Sequence, residues 1–191
     1  MKYFRNFFSI LSLVILAACA DNSADPVEKV IAAKYINPEP ASITLMTMVS
    51  AGSDFGEHSA ILINASQQVL YDPAGSFRDK RLARARDVHY GVTPYMAAYY
   101  NSYHARFGYY VKVQKISVTP ELAEEIFQRA VAQGTTGQLR CGLSVSSVLN
   151  GVPMFSNIRT TYYPGKIMDD FAKIPGVSTT FVRENDIGQN Y

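Results

Sequence analysis

Residues 58–72 read HSAILINASQQVLYD, and this stretch restricts the fold more than any other. Two apolar, β-branched runs, 58–64 and 68–72, flank Ala65-Ser66-Gln67, which predicts a β-hairpin. A three- or five-residue loop centred on Ser66 pairs residues whose numbers sum to 132. His58 and Asp72 are then diagonal neighbours on one face. A two-residue turn would slip the pairing by one and bring Tyr71 to that face instead. The loop carries no Asn-Gly signal of the shorter turn, which favours the longer loop and Asp72.

Around this hairpin the chain reads as mixed. SITLMTMVS (42–50) predicts a strand, and YYVKVQKISV (109–118) alternates as a strand with one wet face. Pro94 opens a Tyr-rich helix to about His104. Thr119-Pro120-Glu121 supplies a hydroxyl cap, a first-turn proline and an acid, predicting a helix that Gly134 stops. Its buried stripe comprises Leu122, Ala123, Ile126, Phe127, Ala130 and Val131. A further helix runs from Cys141 to about Asn150, with Cys141, Val145, Val148 and Leu149 on one face and Ser144 and Ser147 away from it. Residues 78–86 read as a helix carrying a cationic run of Arg78, Lys80, Arg81, Arg84 and Arg86. That run suits either a solvated face or contact with anionic lipid or cell-wall polymer. A helix over 166–173 and a strand over 177–183 complete the set. The expected fold class is α+β, a small antiparallel sheet with packed helices.

The N-terminus narrows the setting. Lys2 and Arg5 precede an apolar run, and Leu16-Ala17-Ala18-Cys19 closes it. This is the order of a secretory signal, too short for a membrane-spanning helix. The last four residues resemble the bacterial lipobox, in which cleavage exposes a cysteine for lipidation. Ordinary cleavage nearby, with Cys19 left as a thiol, is the alternative. The expected layout is a signal over 1–18, a Pro-rich tether over 19–41 and one domain over 42–191. Ala20 after the cysteine favours the outer membrane, by the same resemblance. Losing the signal removes Lys2 and Arg5 from 18 cations, leaving 16 against 16 Asp and Glu. A neutral mature chain gives no reason to expect a nucleic-acid partner.

With Cys19 lipidated, Cys141 is the one free thiol in an oxidising compartment. At a helix N-terminus, unsatisfied N–H groups and the macrodipole favour its thiolate. The other reading is a buried cysteine acting as a small hydrophobe. A nucleophile needs a base, and the candidates are His58, His89 and His104. His58 opens a strand, where a sheet presents an imidazole rigidly. An acceptor should orient the ring: Asp72, with Glu57 and Asp79 as weaker choices. Asp72-Pro73-Ala74-Gly75 also reads as a plain turn.

GEHSAILINASQQVLYDPAGSF, followed much later by RCGLSVSSVLNG, resembles the circularly permuted branch of the NlpC-type papain-like superfamily. The resemblance spans about 42–150. It implies Cys141 as nucleophile, His58 as base and Asp72 as orienting residue. It further implies a lipid-anchored cysteine hydrolase or acyltransferase, and no metal or organic cofactor. The expected partners are a bilayer through Cys19 and, as substrate, a peptidoglycan peptide or an acyl lipid. A non-catalytic envelope lipoprotein on the same fold, binding peptide, glycan or a protein partner, is the competing expectation.

Overall fold

The computed structural model describes residues 24–183. Cys19 and the signal segment lie outside the described residues. The fold is α+β, built on one antiparallel sheet. Its strands are β1 (Ser42–Ser50), β2 (Gly56–Asn64), β3 (Gln68–Tyr71), β4 (Ala83–Ala85), β5 (Val88–Tyr90), β6 (Tyr109–Ser117) and β7 (Ser178–Arg183). Their spatial order is β4-β5-β3-β2-β1-β6-β7. The helices are α1 (Val27–Ala32), α2 (Pro94–His104), α3 (Pro120–Gln133), α4 (Cys141–Leu149) and α5 (Pro164–Phe171). Among the described residues no helix is long and apolar enough to cross a membrane.

Both sheet faces are covered, so the central strands are apolar without clean alternation. One face carries Ile43, Leu45, Ile61, Ile63 and Tyr71 against α3, α4 and α5. The other carries Met46, Ala60, Leu70 and Val111 against α2 and the 73–82 loop, which contributes Phe77 and Leu82. Thr93 and Thr119 cap α2 and α3, accepting from Met96 N at 3.2 Å and Leu122 N at 3.3 Å.

The β2–β3 register is Asn64 with Gln68, Ile63 with Val69 and Ile61 with Tyr71. Ala65-Ser66-Gln67 is therefore a three-residue loop, the register expected from the sequence.

Residues 78–86 are not helical. The chain loops through 78–82, and β4 pairs with β5 across a two-residue turn at Arg86-Asp87, with Arg86 at φ 56°. Asp87 is buried and fixes that turn: one oxygen accepts from Arg84 Nη2 at 3.2 Å, the other from Thr136 N at 2.7 Å. These two strands make the sheet larger than the small one expected.

Residues of the expected tether lie along the domain. Asp25 N donates to Arg84 O at 2.7 Å and Gln68 N to Tyr35 O at 2.8 Å. Asn64 Nδ2 donates to Glu39 O at 2.9 Å. Helix α1 within this segment has no buried residue.

Candidate active site

β2 enters the sheet at Gly56, and its alternation sends His58, Ala60 and Leu62 toward α2. β3 ends at Tyr71, and Asp72 turns out of the ladder while its N–H donates to Asp87 O at 2.8 Å. The diagonal step brings the two side chains together. His58 Nε2 lies 2.6 Å from Asp72 Oδ1. A carboxylate only accepts, so Nε2–H donates and Nδ1 is the ring nitrogen left for another partner.

That partner is Cys141. The thiol is hydrogen-bonded to His58 and is 7 % exposed. Cys141 is the first residue of α4, and Arg140 before it supplies no side-chain cap. The first-turn N–H groups are therefore free to face the sulfur. Backbone N–H groups of Gly142 and Ser59 both do so.

The three groups shift one another. Burial works against charge on Cys141, yet the bond and charge of His58, with the two backbone N–H groups, bring the thiol below its ordinary value. Burial also works against charge on His58. Asp72 and Cys141 reverse this and raise the imidazole to about 10. Asp72 is fully buried, which disfavours its charge, but His58 holds it down at about 2. His58 and Asp72 thus sit as imidazolium and carboxylate, and both His58 and the backbone N–H groups draw the Cys141 thiol toward its thiolate. The protons belong to the set, not to single residues.

Two supports of Asp72 escaped the sequence reading. Tyr100 OH donates to Asp72 Oδ1 at 2.9 Å. Gly75 lies against the same carboxylate, where a Cβ would collide with all three carboxyl atoms. The Gly in Asp-Pro-Ala-Gly is thus required by close approach, a role its turn context concealed. Tyr100 follows Met96 at helical spacing, and both point into the core. Nothing in the sequence distinguishes it from neighbouring Tyr95, Tyr99 and Tyr103. Arg81 covers Tyr95 and Tyr99, and Tyr103 lines a pocket.

On the other side, Gly142 admits residues 161–163. A Cβ there would stand 2.5 Å from Tyr162 O. Ser146 fastens this segment, accepting from Thr161 N at 3.0 Å while donating to Gly142 O at 2.8 Å.

The remaining candidates lie elsewhere or play other parts. His104 stacks on His58 with centroids 5.9 Å apart. Its Nδ1–H donates to Tyr100 O at 2.9 Å, and burial lowers its pKa. His89 sits on β5, 1 % exposed, and burial lowers it to about 4. Glu57 is exposed, and Asp79 is held by Arg81 at 2.7 Å. A pocket of about 430 Å³ opens beside His58, walled by Met48, Tyr103, His104, Phe107 and Tyr109, with Arg106 at its edge. Comparison with family models, curated proteins and solved structures returned no match.

Proposed function

We propose that this chain is an envelope-anchored cysteine hydrolase or acyltransferase of the permuted NlpC-type, papain-like kind. The observation that carries the reading is the continuous array Cys141–His58–Asp72, closed by the 2.6 Å contact between His58 and Asp72. The Cys141 thiolate attacks the carbonyl carbon of an amide or ester. The developing oxyanion meets N–H groups at the start of α4. As the tetrahedral intermediate collapses, the carbon–nitrogen or carbon–oxygen bond breaks, and His58 gives its proton to the leaving group. Cys141 then holds the acyl group as a thioester. His58, now neutral, takes a proton from water or from an acceptor alcohol or amine, which attacks the thioester and frees the thiol. Asp72 is a positioning residue that keeps Nδ1 aimed at sulfur and steadies the imidazolium.

Lipidation at Cys19 in the outer membrane would place this chemistry beside cell-wall peptide and acyl lipids, the two substrate classes favoured. The apolar, aromatic pocket beside His58 suits an acyl chain or a hydrophobic peptide group.

The test is covalent trapping. An electrophilic acyl analogue at neutral pH should add once, at Cys141, by peptide mass spectrometry, and Cys141→Ser should abolish the adduct. A wild-type thiol that reacts only above about pH 8.5, as a free cysteine does, would defeat the reading.

A further inference from the structure

A second pocket, of about 370 Å³, opens beyond Phe77 toward the β4 edge of the sheet. Phe77 divides it from the first pocket: its ring lies 6.3 Å from His104 and 5.8 Å from His89. Lys29, Arg78, Lys80, Arg84 and His89 line it. Two carboxylates also reach it, and both are engaged. Asp25 accepts from Lys29 and from Arg84 N, each at 2.8 Å, and Asp79 accepts from Arg81 at 2.8 and 2.7 Å. The pocket therefore has more cations than its own acids neutralise.

Its floor is the more telling part. Arg84 and His89 are direct partners across β4 and β5, so their side chains leave the sheet on one side. Arg84 Nη2 reaches Asp87, but its Nε is buried with no hydrogen-bond partner among the described residues. The same holds for His89 Nε2, on a ring 1 % exposed. Leaving two buried nitrogens unpaired on cross-strand partners is costly, and native proteins rarely do so. Nothing in the Cys141–His58–Asp72 array accounts for either. An anion with several oxygens could accept from both at once while Arg78 and Lys80 close over it. The volume exceeds what a halide needs and fits a phosphate with a small substituent.

We infer that this pocket binds a phosphate-bearing anion at a site separate from Cys141. Chain geometry offers one source. Asp25, at the pocket wall, is six positions after Cys19. With Cys19 lipidated as proposed, that spacing keeps the pocket within about 20 Å of the acyl chains. A phospholipid headgroup and a small phosphate compound share the required chemistry.

The site does not rest on the catalytic reading, and its test is independent. The full chain in neutral detergent is titrated calorimetrically with inorganic phosphate and, separately, with a short-chain phosphatidylglycerol below its micelle concentration. Lys29→Gln with Lys80→Gln removes two exposed lysines that line the pocket and leaves the bonds from Arg78 to Gly75 O and Phe77 O in place, so folding should hold. Lys112→Gln with Lys115→Gln on β6 removes the same charge elsewhere. Saturable binding that weakens at least about tenfold in the first variant and not in the second is the expected result. Tighter binding of the lipid than of phosphate assigns the headgroup; the reverse order assigns a soluble phosphate compound. No saturable binding of either probe, or equal weakening in both variants, overturns the site. Cys141 trapping should be unchanged in Lys29→Gln with Lys80→Gln, so a failure here is distinguishable from a failure of the catalytic reading.

Discussion

His58 and His89 leave the same face of one sheet, on β2 and β5, with β3 and its Asp72 between them. Burial pushes both toward neutrality. One ends at about 10 and the other at about 4. Contact explains the difference. His58 has a carboxylate at 2.6 Å and a thiol on its other side, whereas His89 feels Asp72 only at longer range. Arg84 and Arg78 also oppose a charge on His89. In a buried setting a carboxylate must be a hydrogen-bond partner, not merely a neighbour, to outweigh desolvation.

The largest test of this contrast removes its charged member. His58→Ala should raise the Cys141 thiol pKa and slow its alkylation at neutral pH by more than about tenfold. The same rate in variant and wild type would mean that α4 alone makes the thiolate.

The second test reads His89 through stability. Its folded pKa, about 4, lies below the unfolded value of about 6.5. Between those values the unfolded chain takes a proton that the folded chain refuses. Stability should therefore fall as pH drops from about 6.5 to about 4, by about 3 kcal/mol, and this loss should level off below. Asp72 loses its contribution only below that window, toward about 2. His89→Gln should flatten the slope in urea titrations across pH 6.5 to 4; an unchanged slope would place the proton uptake elsewhere.

Asp72→Asn probes the contact itself. The amide keeps a hydrogen bond to His58 but stabilises the imidazolium less. The alkylation profile of Cys141 should move up by about one pH unit, roughly a tenfold rate loss at its acid end. A motionless profile would reduce Asp72 to a turn residue. Tyr100→Phe should have the smallest effect, a loss of about 1 kcal/mol in unfolding free energy with the profile moved by less than in Asp72→Asn.

The hairpin and its diagonal pair were legible because side-chain parity is encoded locally: apolar positions and the absence of a short-turn signal select one register. The Arg-rich segment was not. Its alternation of Ala83, Arg84 and Ala85 is too short to signal a strand. What makes it one is pairing with β5 and with Asp25, 59 positions earlier, which no local pattern contains. Ser144 was expected away from the buried face of α4, yet it is buried and shares a 3.0 Å hydrogen bond with Thr136. Residues 135–136 on one side and 161–163 on the other enclose α4. A helix wrapped on nearly all sides loses the amphipathic signature that sequence reading depends on.

The three-residue loop at Ala65-Ser66-Gln67 acts as a ruler for a distant event. His58 lies eight residues back along β2 from Ser66, about 26 Å of extended chain. Surface turns ordinarily tolerate changes in length. Here, closing a two-residue turn by slipping the register, so that Asn64 pairs with Gln67 instead of Gln68, would exchange inward for outward along β3. Tyr71 would then arrive where Asp72 stands, and a phenol would face the imidazole. The site's electrostatics are thus set in part by the count of residues in a loop that touches none of its atoms.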